Sequence, residues 1–301
     1  MSERRTSGWQ RQSAGRGARR GVVLKSAREL ERMRRAGRVT AEALEAARQV
    51  IRPGVTTAEV DAAAAEVLRR HTARPAFLGY GDPPFPAVTT VSVNAELVHG
   101  IPGPRRLKEG DIVSVDCGAI VDGFVGDAAF TAAVGGASDE AERLIEATRQ
   151  ALWAGIERMR PGLHTGDISA AIQSVVEAQG FNVVREYTGH GVGRQMHEDP
   201  QVPNYGTAGK GLLLRPGMTI ALEPMTLAGE AQVRVLDDAW TVVSADGRLT
   251  AHWEHTVAVT PDGPWVLTRL EEDLDGPGRD SYNEAFADRD AAADKARRER
   301  E

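Results

Sequence analysis

Apolar residues recur at three- to five-residue spacings after Ser26, at Leu30, Met33, Val39, Leu44 and Ile51, and the pattern stops at Pro53-Gly54. That periodicity predicts a helix ending, as helices do, ahead of a proline. Thr56 followed three residues later by Glu59 is a capping box, predicting a second helix to about Arg70. The pattern then turns β-branched, with strand-like runs at 88–93, 111–120 and 124–134, before Ser138 opens another helix read as far as Arg160. Asp122-Gly123 between the two longer runs is the strongest short hairpin signal, and it pairs position i with 245 − i.

The same punctuation appears twice. Arg52-Pro53-Gly54-Val55, followed by Thr57, Glu59 and Val60, returns 108 residues later as Arg160-Pro161-Gly162-Leu163, followed by Thr165, Asp167 and Ile168. Leu107-Lys108-Glu109-Gly110, leading to a strand that reaches Asp116, returns 107 residues later as Leu214-Arg215-Pro216-Gly217, leading to a strand that reaches Glu223. Two helix openings and two acid-bearing strands in one order predict a duplicated αβ unit. A pseudo-twofold axis between the copies would set Asp116 and Glu223 face to face. The ordered core is read as 21–270, with halves at roughly 21–137 and 138–270. The six-arginine stretch 1–20 and the charged stretch 271–301 have little to bury and are read as tails, the second with room for a solvated helix over 281–300.

Composition narrows the function. The chain has 301 residues, a net charge of −6 and one cysteine, so Cys117 can form neither a disulfide framework nor a cysteine-based zinc cluster. No apolar run is long enough to span a bilayer and no leader-like apolar stretch follows the basic start, which makes the cytoplasm the expected compartment and excludes a membrane partner. The negative balance argues against a dedicated nucleic-acid-binding core. A monomer is the default expectation.

The hairpin register puts Asp116 opposite Ala129, so Asp127, two residues away, shares its face. On its own this pair reads equally well as a solvated acidic face. Further groups change the balance: His190 and His197 in a glycine-rich stretch where backbone can approach a ligand, Glu223 at the end of an apolar strand, and Glu254 in a strand with Val257 and Val259 on the opposite face. A buried acid without a partner is costly. Four carboxylates and one imidazole carry −4, which two divalent cations would neutralise, and such a site can polarise a carbonyl and acidify water.

Five motifs lie in order along residues 24–268: Ser92-Val93-Asn94 with His99-Gly100-Ile101-Pro102; Asp116 with Asp122-Gly123-Phe124 and Asp127; Gly189-His190-Gly191-Val192-Gly193 with His197-Glu198; Leu222-Glu223-Pro224-Met225; and Trp253-Glu254-His255-Thr256. Together they resemble the type I methionine aminopeptidases of bacteria. The resemblance implies an α+β pita-bread fold, two pseudo-twofold-related halves with antiparallel sheets covered by helices, and removal of the initiator methionine from nascent polypeptides. It also implies that Asp116, Asp127, His190, Glu223 and Glu254 hold two divalent ions (Co, Mn, Fe or Zn), with Asp127 and Glu254 bridging. By the same resemblance Glu223 shuttles protons, His197 donates to the scissile carbonyl or oxyanion, and His99 contacts the second substrate residue. Tyr80, Phe85, Thr90, Met196 and Trp240 would line the methionine pocket.

Departures from the family pattern are Gly81-Asp82-Pro83-Pro84, which lengthens the loop between two pocket aromatics; Phe77, where a small residue or cysteine is common; Ala128, where a hydroxyl is usual, so that one hydrogen bond to the ligand carboxylates is expected to be missing; and His252, where glutamine is usual. Without the resemblance, Tyr80 and Phe85 read as plain core. Cys117 points away from Asp116 as a buried thiol, and His71, His164 and His255 read as structural. Two other readings stay open: an X-Pro dipeptidase on the same fold, although those chains usually carry a large N-terminal domain, and an inactive ribosome- or RNA-binding protein whose arginine-rich tail touches RNA. The last predicts broken ligands, whereas all five stand.

Overall fold

The computed structural model describes residues 21–270. The tail readings for 1–20 and 271–301 lie outside the described residues. Helix α1 spans Ala27–Val50 and opens on a capping box in which the Ser26 side chain accepts from the Glu29 N–H and Glu29 bonds back to the Ser26 N–H. Helix α2, Thr57–Arg70, repeats the device with Thr56 and Glu59. Helix α3, Asp139–Ile156, begins where Ser138 predicts but ends four residues before Arg160. Tight turns take over, Arg158 N–H to Gly155 C=O and Met159 N–H to Ile156 C=O, and they turn Met159 into the core ahead of Pro161. Helix α4 is Thr165–Ala178, with Asp167 accepting from the His164 N–H at 2.7 Å.

Nine strands make the main sheet: β1 (Arg74–Pro75), β2 (Thr89–Val93), β3 (Ile112–Val121), β4 (Phe124–Ala133), β5 (Thr188–Gly191), β6 (Glu198–Pro203), β7 (Thr219–Leu222), β8 (Glu254–Thr260) and β9 (Gly263–Val266). The β3–β4 hairpin keeps the predicted register over ten pairs, Asp116 opposite Ala129 among them. Asp122 and Gly123 sit at φ 51° and 77°, the left-handed values that a type I′ turn requires.

Strands β4 and β8 pair at Ala129–Glu254 and Ala128–His255, and the order outward from that seam is the same on both sides: β4, β3, β2 on one and β8, β7, β5 on the other. The duplication extends to single hydrogen bonds. Gly54 N–H reaches Leu107 C=O as Gly162 N–H reaches Leu214 C=O; Leu107 N–H reaches Val55 C=O as Leu214 N–H reaches Leu163 C=O. Thr56 bridges to Arg106, and His164 to Leu213.

Helices α1 and α2 pack on one face of the β3–β4 hairpin, burying Val113, Val115, Cys117, Ala119 and Ala128 in a shared apolar layer. Helix α3 and helix α4 bury a corresponding layer with Ile220, Leu222, Val257 and Val259. Because strand side chains alternate, Asp116 and Asp127 point to the uncovered face. Helix α1 lies against the hairpin with almost no separation: a Cβ on Gly126 would fall 2.6 Å from the Gly37 backbone, and one on Gly37 would fall 2.2 Å from the Leu267 carbonyl oxygen.

The candidate metal centre

Each acidic side chain reaches the centre by a local rule. Asp116 and Asp127 come from facing strands of one hairpin, Glu223 from the residue after β7, and Glu254 from the first residue of β8. His190 sits in β5 opposite Ala221. These five, with His99 and His197, line one cavity of about 70 Å³. The His190 Nε2 atom lies 3.4 Å from Glu223 Oε1 and 3.8 Å from Asp127 Oδ2. Ligand atoms of Asp127, His190 and Glu254 all lie within 4.8 Å of one another.

The electrostatics are those of carboxyl groups crowded together away from water. Burial, then the charges of Asp127 and Glu223, pushes the Asp116 carboxyl well above the usual carboxylate range. Glu223 is pushed up by burial and by Asp127, and Glu254 by burial and by Asp127, Asp116 and Glu223. Burial raises Asp127 to about 7. Buried oxygens of Asp116, Asp127 and Glu254 lack any hydrogen-bond partner. Leaving such acceptors unpaired is costly, and divalent cations would satisfy them and reverse the pKa logic. The imidazole fits too: His190 Nδ1 lies 2.9 Å from the Gly191 carbonyl oxygen and donates to it, which turns the unprotonated Nε2 toward the carboxylates. Burial holds His190 at about 4, so the ring is neutral at neutral pH.

His197 stands beside His190, ring centroids 4.2 Å apart, and its Nδ1 lies 2.6 Å from the Tyr80 hydroxyl. Tyr80 is thus joined to a histidine of the centre as well as to the apolar cluster. His99 occupies a left-handed backbone position, φ 61°, with its ring edge-on to Tyr187 and Trp240. Phe85 and Trp240 are buried and meet in a T-shaped contact at 5.1 Å, in one cluster with Tyr80, Met196 and Phe77. Thr90 pairs with Asp116 across β2 and β3 and so shares its face. The longer 81–84 loop does not separate the aromatics, because Gly79 N–H to Phe85 C=O and Phe85 N–H to Tyr80 C=O close its base.

Three sequence expectations are corrected. Glycines around His190 serve the packing of strands rather than a ligand's approach: a Cβ on Gly189 would lie 2.6 Å from the Ala221 carbonyl oxygen, and one on Gly191 would lie 2.2 Å from that of Asp199. Ala128 faces the apolar layer under α1, so it withholds no hydrogen bond from the carboxylates. Helix α3 stops at Ile156, as described above. The sequence reading also missed Tyr187 and Thr188 in the cavity wall, and it took Phe77 only as a departure, although Phe77 lines the cavity. No metal motif requires those three. Lys25 was missed as well: it is buried, with Nζ 2.6 Å from Glu198 Oε2, and it latches the segment before the first helix to the residue after His197.

Buried acids around one neutral imidazole, on a sheet duplicated about its centre, are the features of a metallohydrolase, and the chain belongs to metallopeptidase family M24, whose pattern matches residues 31–261. Within that family it is similar to the methionine aminopeptidases. It is 49% identical to one from Clostridium perfringens over 251 residues, 83% of this chain and 100% of that one. The crystal structure of methionine aminopeptidase from Thermotoga maritima superposes with a TM-score of 0.80 at 46% identity, covering 82% of this chain and 99% of the other. A prolidase from Pyrococcus horikoshii shares the fold more distantly, with a TM-score of 0.67, 25% identity and coverage of 85% of this chain and 66% of that one.

Proposed function

We propose that this metallopeptidase removes the N-terminal methionine from nascent polypeptides, with residues 21–270 as the catalytic unit and roughly 21–137 and 138–270 as its halves. The observation that carries the reading is the convergence of three buried acids, the half-buried Glu223 and a neutral, Nδ1-tethered His190 in the cavity that also holds His99 and His197. Asp116, Asp127, His190, Glu223 and Glu254 would hold two divalent ions. When bound, the ions supply a polarised scissile carbonyl and an acidified water. The donor set of oxygens and one imidazole suits Mn, Fe or Co at least as well as Zn.

The chain's own groups do the rest. Glu223 accepts a proton from the attacking water and passes it to the leaving amine. Loss of solvation in the cavity, then the neighbouring His190 and His99, holds the His197 ring well below the usual imidazole range. With Tyr80 donating to its Nδ1, its proton is on Nε2, where it can be given in a hydrogen bond to the developing oxyanion. His99 contacts the second residue of the substrate. Tyr80, Phe85, Thr90, Met196 and Trp240 form the methionine pocket, where aromatic and sulfur contacts suit an unbranched thioether. The reading places the reaction in the cytoplasm, by a monomer, with at most transient ribosome contact. No helix among the described residues is long and apolar enough to cross a membrane.

The test is hydrolysis of Met-Ala-Ser, Leu-Ala-Ser and Ala-Pro by stripped protein reloaded in turn with Mn, Fe, Co and Zn. Release of methionine alone supports the reading and ranks the metals. Cleavage of Ala-Pro in its place would establish the dipeptidase, and no release by folded, loaded protein would favour the non-catalytic alternative.

A further inference from the structure

His252 has no part in the mechanism above. It ends the strand Thr250–His252, paired with Met225, and is 2% exposed. Thr131 holds its backbone from both sides: the His252 N–H donates to Thr131 Oγ1 at 2.9 Å, and that hydroxyl donates to the His252 carbonyl at 2.7 Å. So fixed, the residue brings Nε2 to 3.8 Å from Glu254 Oε2. The Nε2 atom has no hydrogen-bond partner, and neither does the second oxygen of Glu254. Polar atoms left unpaired in a dry interior are costly, and hydrogen bonds at catalytic centres commonly tighten once the site is filled.

We propose that His252 is a positioning residue of the metal centre: its Nε2–H donates to the Glu254 carboxylate and fixes the orientation in which that carboxylate serves the ions. The inference rests on the reading of Glu254 as a metal ligand. His252 is not itself a ligand in this account: the group its Nε2 faces is the Glu254 carboxylate, 3.8 Å away.

The experiment is calorimetric titration of metal-free full-length protein with Mn(II), together with the visible absorption of the Co(II)-loaded form. His252→Leu, which removes the donor, is expected to weaken Mn(II) binding about 10–100-fold. His252→Gln, which offers an amide N–H, should restore binding to within a few-fold and leave the Co(II) bands unchanged. Wild-type affinity in His252→Leu would overturn the proposal. So would a Gln variant as weak as Leu with altered Co(II) bands, which would make His252 a ligand. If the Leu variant does not fold, His252→Asn, whose amide falls short of Glu254, replaces it with the same expectation and the same overturning result. Asp127→Ala run in parallel separates the two levels: retained tight binding there would sink the metal-site reading itself, whereas its loss alongside a wild-type-like His252→Leu would sink only this inference.

Discussion

The Tyr80 hydroxyl touches chemistry that its ring does not. Removing it in Tyr80→Phe keeps the pocket wall but frees the His197 tautomer, so kcat/KM for Met-Ala-Ser should fall about 10–100-fold with kcat carrying most of the loss. A drop confined to KM would mean that Tyr80 only lines the pocket. Titration gives a second residue-scale prediction. Asp127 is raised to about 7 in the fold, so the folded chain holds a proton there that the unfolded chain has released by about pH 4. Its contribution to the stability of metal-free protein is therefore lost as pH rises through about 7. Neutral histidines such as His190, lowered to about 4, act with the opposite sign, but only below about pH 6.5, where the unfolded imidazole takes up protons. Above that the carboxylates act alone. The Tm of metal-free protein should fall between about pH 6.5 and 8.5, and Asp127→Asn should flatten the fall. A wild-type Tm rising over that range would contradict the assignment.

At the scale of elements, helix α1 is seated by absent side chains and by a latch. Gly126 against Gly37 leaves no room for a methyl group, so Gly126→Ala should cost about 1–3 kcal/mol through forced separation of helix and hairpin, read from denaturant midpoints. The Lys25–Glu198 pair is buried at both ends, with side chains 3% and 11% exposed. Removing one partner leaves the other charge stranded, so Lys25→Met should destabilise by about 3–5 kcal/mol, whereas replacing both partners by apolar residues should recover much of it. A double variant no better than the single one would show that the latch is not an isolated pair.

For the molecule as a whole, the acids repel one another across the seam between β4 and β8, and cations would turn that repulsion into cohesion. Divalent metal should raise the Tm, increasingly with concentration, and reverse the alkaline loss described above. Asp127→Ala should abolish both the metal-dependent rise and methionine release. A Tm indifferent to metal in wild-type protein would argue against a site spanning both halves.

What was legible in the sequence was whatever repeats or punctuates locally. Ser26, Thr56 and Ser138 mark helix starts, Asp122-Gly123 sets a register that holds over ten pairs, and the 107- and 108-residue offsets return as matched backbone hydrogen bonds. Those signals place Asp116, Asp127 and Glu254 on strands and Glu223 at the end of one, because caps, turns and alternation are decided by neighbours in the chain. Other contacts were decided only in three dimensions. Tyr80 meets His197 across 117 positions, Lys25 meets Glu198 across 173, and Tyr187 and Thr188 enter the cavity wall without belonging to any motif. The glycines beside His190 looked open in one dimension and are crowded in three. Packing distance between elements has no period and no local cap to announce it, so the sequence by itself determined the elements and the acids they carry, and the tertiary structure decided what each acid and histidine faces.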